Sequence, residues 1–333
     1  MKRWATRLAA GLPLAFCLGA AQAEEAPIRA VATIGMIGDV AAHVGGSCVE
    51  VTTLMGPGVD PHLYQPGARD VQTFQDADVI LYSGYSLEGQ LGAVLKRFSQ
   101  MKPTLAVAEA SIEEGELIAV EGAYGIDPHL WMDAGLWSRI APTIAQTLGE
   151  MRPDCADAMR ANAESYGRQL AALHDWAGRA VATVPEQQRI LVTAHDAFGY
   201  YGRAYGIRVE GIQGISTEAE ASVADIRAAA ARVAELGVPA VFVESTINPR
   251  TIQAVIDAAA QQGQEVRIGG ELYSDAMGEA GTAGGTYIGM IYENTRNIVT
   301  ALGGTPPAMP DALRDWAETW DVADASANVP AAQ

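Results

Sequence analysis

From Cys155 to Val184 the chain keeps a helical pattern rich in alanine and leucine, with no proline and only Gly167 and Gly178 as weak points. At about 1.5 Å rise per residue, such a helix spans on the order of 45 Å. That is longer than most globular helices and long enough to bridge two domains. On both sides of it the same alternation of short apolar β-rich runs and amphipathic helices is found. Before it, strands are predicted at Arg29–Ile34, Cys48–Met55, Val79–Ser83 and Thr104–Ala108. Between them fall helices at Gly35–Val44, Asp70–Asp78 and Glu88–Phe98, and Asp133 is placed to cap a helix running to Met151. After it, strands at Arg189–Thr193, Ile207–Ile212, Val238–Glu244 and Val266–Gly269 alternate with helices at Ala197–Tyr205, Val223–Leu236 and Arg250–Gln262. A helix at Tyr287–Leu302 closes this half, and a short one is expected near Asp311–Trp320. Strands joined through helices predict parallel sheets. The fold class is therefore α/β, with two lobes, each a mostly parallel sheet flanked by helices. A length of 333 residues agrees with two domains. The expected division is a leader at 1–23, a first lobe at 24–152, the linking helix at 153–184 and a second lobe with a loose tail at 185–333.

The leader has a basic start at Lys2, Arg3 and Arg7, an apolar stretch from Leu8 to Ala20, and the small-x-small site Ala21-Gln22-Ala23. This is the pattern of a secretory signal cleaved after Ala23. Cys17 raises the question of a lipid anchor, but Phe16 before it is a poor fit to lipoprotein processing, so simple cleavage is preferred. An exported chain is expected, and in a two-membrane cell it resides in the periplasm. Without the leader, 19 basic residues face 40 acidic ones. Such a balance argues against nucleic acid or an anionic membrane as partner. Cys48 and Cys155 remain after cleavage. An oxidising compartment permits them to pair, but 107 intervening steps leave open whether they meet. Without a CxxC pattern they form no thiolate metal site.

Only five histidines occur in the chain. Two lie in repeated turns, Gly58-Val59-Asp60-Pro61-His62-Leu63-Tyr64 and Gly125-Ile126-Asp127-Pro128-His129-Leu130-Trp131. Proline fixes its own φ and biases the preceding residue away from helix, so each imidazole is presented from a stiff turn. His195 follows a predicted strand directly, and Asp275 follows another within one loop. Ligands in open α/β sheets bind beyond the carboxyl ends of strands. Three imidazoles and one carboxylate would give a divalent ion four ligands and a local charge of +1, a donor set suited to zinc, and to manganese or iron if the carboxylate binds through both oxygens. These residues share no local spacing motif, so two loop histidines in similar turns are an equally open reading of the residues alone. His43, in the last turn of its helix, and His174, on the long helix, are read as structural.

The chain resembles the TroA-like family, the metal-binding subunits of bacterial ABC importers for zinc, manganese and iron, which includes the ZnuA and PsaA types. The similarity covers nearly all of the chain after the leader. It is carried by Asp60-Pro61-His62 with Tyr64, Pro66 and Asp70, by Ala77-Asp78 and Leu87-Glu88, and by Asp127-Pro128-His129-Leu130-Trp131 with Asp133. It continues through Thr193–Tyr200, Phe242–Ser245 and Gly270–Gly278, and this second half is particularly similar to the TroA type. The resemblance implies that the long helix is a rigid link between the lobes, with the metal between them. It implies His62 and His129 as ligands from the first lobe and His195 and Asp275 from the second, with Glu244 in a structural or supporting role. It further implies one zinc or manganese ion as cargo, with iron behind them, a monomer, and an inner-membrane ABC permease as partner. The acidic loop Ser111–Gly125 carries no histidine, unlike the His-rich loop common in zinc-dedicated members. Manganese-selective members commonly have glutamate at the position of His195. These two features point toward different metals.

Two other functions remain open from sequence. A zinc metallohydrolase would need an open coordination position and a base, for which Glu244 is available. An organic-solute binding protein would use Tyr64, Trp131 and Tyr273 as pocket walls, leaving three histidines without a role.

Overall fold

The computed structural model describes residues 26–121 and 124–323. The expected leader and the end of the tail lie outside the described residues. In the first lobe β1 (Ile28–Ile34) pairs with β2 (Val49–Met55) on one side and β3 (Val79–Tyr82) on the other. β4 (Thr104–Ala106) extends the sheet beyond β3, and every pairing is parallel, in the order β2-β1-β3-β4. All but one of the β1 side chains are buried, as a central parallel strand covered on both faces requires.

The second lobe repeats this plan. β5 (Ile190–His195) pairs in parallel with β6 (Arg208–Gln213), and β7 (Ala240–Glu244) with β8 (Arg267–Leu272). β5 lies against β7 without completing a ladder, so the strands run β6-β5-β7-β8. In both lobes the first and third strands are neighbours and the chain leaves them in opposite directions. Loops diverging at the carboxyl ends of such a pair leave a crevice where ligands bind.

The linking helix runs from Ala156 to Ala182 after a 3-10 turn at Pro153–Cys155. It buries Met159, Ala163, Tyr166, Leu170, Leu173, Trp176, Ala177, Ala180 and Val181, a three-and-four spacing that forms one apolar stripe. The stripe packs against the first-lobe helices Gly35–Gly45 and Ile140–Met151 and the second-lobe helix Tyr287–Ala301. Trp176 stacks on Tyr292 at 4.5 Å and donates to the Pro307 carbonyl. One continuous apolar core thus extends from the first sheet, across the helix, to the near face of the second. The outer face of the second sheet has its own core, including Val192, Val241, Ile252 and Val255.

Cys48 and Cys155 form a disulfide, with Cα atoms 6.5 Å apart, which joins the start of β2 to the foot of the linking helix. Several element ends differ from the sequence expectation. The expected strand at Thr104–Ala108 stops at Ala106, and Val107–Ser111 is helical, because Val107 and Ala108 turn inward to the core. The helix capped by Asp133 breaks after Trp137 and restarts at Ile140. β5 continues two residues further than expected, to His195, whose backbone pairs with Gln213.

Candidate metal centre

The two Asp-Pro-His turns fold alike. The Asp60 carboxylate accepts from the His62 backbone N–H at 2.9 Å, and the Asp127 carboxylate from that of His129 at 3.0 Å. Such a bond two residues along the chain is the Asx-turn, and with proline between the partners it leaves the histidine little freedom. His62 is also held from behind. Gly89 sits at φ +42°, and a Cβ there would lie 2.6 Å from the His62 carbonyl oxygen. Glycine is needed at that position for both reasons.

His195 ends β5, and Asp275 follows β8 by three residues. His62, His129, His195 and Asp275 converge between the lobes, with one ligand atom from each lying within 4.8 Å of the others. All four are buried. His62 Nε2 is 3.3 Å from His129 Nε2 and 3.8 Å from Asp275 Oδ2. His129 Nε2 is 3.3 Å from Asp275 Oδ1, and His195 Nε2 is 3.2 Å from Asp275 Oδ2. Donors held about 2.05 Å from a central ion at tetrahedral corners stand about 3.3 Å apart. Three of these four separations match that edge. His195 Nε2 and both Asp275 oxygens are buried without a hydrogen bond of good geometry. Buried polar atoms are ordinarily paired, so this concentration in one spot calls for a ligand.

The far nitrogens of the rings are engaged. His129 Nδ1 meets Asp127 Oδ1 at 2.7 Å, and His195 Nδ1 meets Glu244 Oε2 at 2.5 Å. Each carboxylate accepts a hydrogen bond from Nδ1–H and so turns Nε2 inward, the arrangement that orients metal-binding imidazoles. His62 Nδ1 pairs with the Tyr124 hydroxyl at 3.0 Å.

The proton affinities follow from these surroundings. Burial pulls His62 down to about 3, against the attraction of Asp275. Burial also opposes charge on His129, but Asp127 and Asp275 overcome it and raise this ring to about 9. His195 is raised well above its ordinary value despite burial, because Glu244 and Asp275 face it. Burial would raise Asp275, yet His195 and His129 hold it well below the usual carboxylate range.

The other two histidines sit elsewhere. His43 stacks on Tyr166 at 4.2 Å and bonds the Asp39 carbonyl at 2.8 Å. His174 Nδ1 lies 3.0 Å from Asp133 Oδ1 beside the helix cap. Sequence reasoning gave no role to Asp127, although an aspartate two residues before histidine in both turns was the available signal. Tyr124 and Thr217, whose hydroxyl donates to Asp60 at 2.6 Å, lie in loops with no pattern to mark them.

Residues 30–301 match the family described as ZnuA, zinc-uptake complex component A periplasmic. The manganese-binding lipoprotein MntA of Bacillus subtilis is 42% identical over 283 residues, 85% of this chain and 92% of its own. The zinc-binding protein TroA of Treponema pallidum is 42% identical over 292 residues, 88% of this chain and 94% of its own. Its solved structure superposes with a TM-score of 0.81, covering 83% of this chain and 99% of that one. The metal ABC transporter substrate-binding lipoprotein FimA of Streptococcus parasanguinis is 28% identical over 316 residues, 91% of this chain and 99% of its own. The repeated parallel sheets, the bridging helix and the buried His/Asp cluster between the lobes accord with these matches, and the chain belongs to the ZnuA family of periplasmic zinc-uptake components.

Proposed function

We propose that this protein captures one divalent transition-metal ion outside the inner membrane and delivers it to an ABC permease. His62, His129, His195 and Asp275 are the ligands in this reading. The observation that carries it is the cluster itself: four buried donors at metal-ligand separations, with Asp275 lacking any good hydrogen bond. Family membership supports the transport role, and the name of FimA supports the type of partner. An exported, periplasmic protein agrees with the expected leader, and among the described residues no helix is long and apolar enough to cross a membrane. In this reading the ligands come in pairs from a first lobe at 24–152 and a second at 185–333, joined by the segment 153–184.

A hydrolase is disfavoured by the same geometry. Four protein ligands leave no open position for water, and the Glu244 carboxylate, which a hydrolase would need as base, is occupied by the His195 backbone and ring. The cargo is zinc or manganese, with iron behind them. Edges near 3.3 Å fit the short bonds of zinc, while both Asp275 oxygens facing histidines would suit a larger ion bound through two oxygens. MntA and TroA are named for different metals at the same 42% identity, so overall similarity favours neither.

The test is elemental analysis of the purified mature protein, followed by competition of zinc against manganese. One equivalent of metal is expected for the wild type. His62→Ala and His195→Ala should each lower the content, and unchanged content in both would refute the ligand assignment.

A further inference from the structure

The four candidate ligands are buried, so an ion cannot enter or leave unless something moves. On the deep side the lobes are tied by enclosed bonds: Trp131 Nε1 donates to the Ser274 carbonyl at 2.8 Å, Tyr287 donates to the Trp131 carbonyl at 2.7 Å, and Tyr200 to the Asp127 carbonyl at 3.0 Å. The opposite side is closed more lightly. There the loop between β6 and the helix Val223–Leu236 reaches across from the second lobe, and Thr217 Oγ1 donates to Asp60 Oδ2 at 2.6 Å. Next to it Tyr124 covers His62 edge-on, with ring centroids 5.8 Å apart. A cavity of about 400 Å³ opens on this side, lined by Tyr82, Glu88, Glu109 and Tyr124 of the first lobe and Glu218 of the second. It reaches the His62 turn, since Tyr124, which bonds His62 Nδ1, and Gly89, which packs on the His62 carbonyl, both line it.

We infer that the loop at residues 214–222 is the gate of the ion's path, with Thr217–Asp60 as its latch and the cavity at Tyr124 as the vestibule outside it. The inference rests on the proposed metal capture and adds the route and the moving part. Opening this loop breaks the Thr217–Asp60 bond and the side-chain bond of Ser216 with Tyr124, both at its outer edge, whereas separating the lobes breaks the enclosed bonds of Trp131, Tyr287 and Tyr200. The acidic lining at Glu109 and Glu218 has the charge to draw a cation toward the gate.

The test uses the full mature protein loaded with zinc, with transfer to an excess of chelator followed by stopped flow, and uptake followed in the reverse mixing. Thr217→Val keeps the side-chain shape and removes the donor, and Thr217→Ser keeps the donor. Release from Thr217→Val should be faster by about tenfold, the factor expected when a hydrogen bond to a carboxylate is lost. Uptake should be faster as well, and Thr217→Ser should behave like the wild type. Wild-type release and uptake in Thr217→Val would overturn the latch, as would acceleration by Tyr287→Phe alone, which would place the opening between the lobes. Hydrogen exchange on the wild type is a second measurement that does not depend on the variant folding. Amides at 214–222 should exchange faster after metal removal while those of β1 do not, and equal exchange in both states would overturn the gate. Wild-type protein that takes up no metal would instead overturn the capture reading on which the gate rests.

Discussion

His195 and Glu244 stand at the ends of neighbouring strands and share two bonds in a fully buried setting. The Glu244 carboxylate accepts from the His195 backbone N–H at 2.9 Å and from its Nδ1 at 2.5 Å. One carboxylate therefore fixes both the chain and the ring of a candidate ligand, and it also determines which ring nitrogen carries the proton. Glu244→Gln presents an amide N–H₂ to one of these two donors, which removes one bond and loosens the ring. Metal affinity should fall by about 10- to 100-fold, the usual effect of losing such a support. Competition against a chelator of known affinity measures it, and an unchanged affinity would show that the ring needs no such brace.

The pH dependence should be steeper and extend higher than free histidine allows. A metal binds Nε2 only after its proton leaves. Asp127 and Asp275 raise His129 to about 9 in the metal-free protein even against burial, and Glu244 and Asp275 raise His195. A raised affinity for protons means that protons compete with metal up to that higher pH. Affinity should therefore keep climbing between pH 7 and pH 8, by about tenfold per unit for each proton displaced. Isothermal titration across this range, in buffers of different ionisation heat, gives both the slope and the proton count. A plateau above pH 7 would contradict the raised rings.

Gly89→Ala tests how closely the His62 turn is held. The new Cβ meets the His62 carbonyl oxygen, and φ +42° is itself strained for alanine. The turn must shift by a few tenths of an ångström or more, away from the other three donors. Zinc affinity should drop by at least about tenfold, since misplaced donors lose most of their benefit, and unfolding should show a loss of about 1 kcal/mol or more. Gly92→Ala, at a helical position where a Cβ meets nothing within 4 Å, is the control and should lower neither.

The parts of the molecule that could be read beforehand share one physical property: a local pattern that reports burial. The bridging helix was legible because its apolar periodicity follows from which face meets the core, and the central strands because burial on both faces makes them short continuous apolar runs. His62 and His129 stood out because proline and aspartate shape the turn within three residues, a purely local effect. Tyr124 and Thr217 could not be found this way. Their roles come from contacts with residues 62 and 157 positions away, and neither sits on a patterned element. The pairing of Cys48 with Cys155 depends on where the linking helix begins relative to β2, which is a tertiary fact. The break after Trp137 in the helix capped by Asp133 was missed for the same reason, because Trp137 packs among Trp131 and Tyr287 rather than following the helix line.

The disulfide should contribute stability without contributing to the site. It closes a loop of 107 residues, and a cross-link of that span restricts the unfolded chain strongly. Cys48 precedes β2, whereas the His62 turn follows it, so the bond lies at the other end of the strand from the ligands. Replacing both cysteines by alanine should cost about 2–4 kcal/mol in chemical denaturation and leave one equivalent of metal bound. Loss of metal at unchanged stability would reverse this assignment.

The lobes should move little when metal binds or leaves. The linking helix buries its stripe against helices of both lobes within one continuous apolar core, and Trp176 is enclosed with Tyr292 and the Pro307 carbonyl. A wide hinge opening would bend this helix or strip apolar surface from it. Each large side chain exposed costs about 1.5–3 kcal/mol, and Tyr166, Leu170, Leu173 and Trp176 would be the first uncovered. Metal-binding energy spent on such an opening would be lost to affinity, whereas movement of the 214–222 loop exposes no comparable surface. Small-angle scattering from metal-free and metal-loaded protein should therefore give superimposable curves, with the change confined to hydrogen exchange at the loop. A clear compaction on loading would show that the helix bends, and would transfer the gating role from the loop to the lobes.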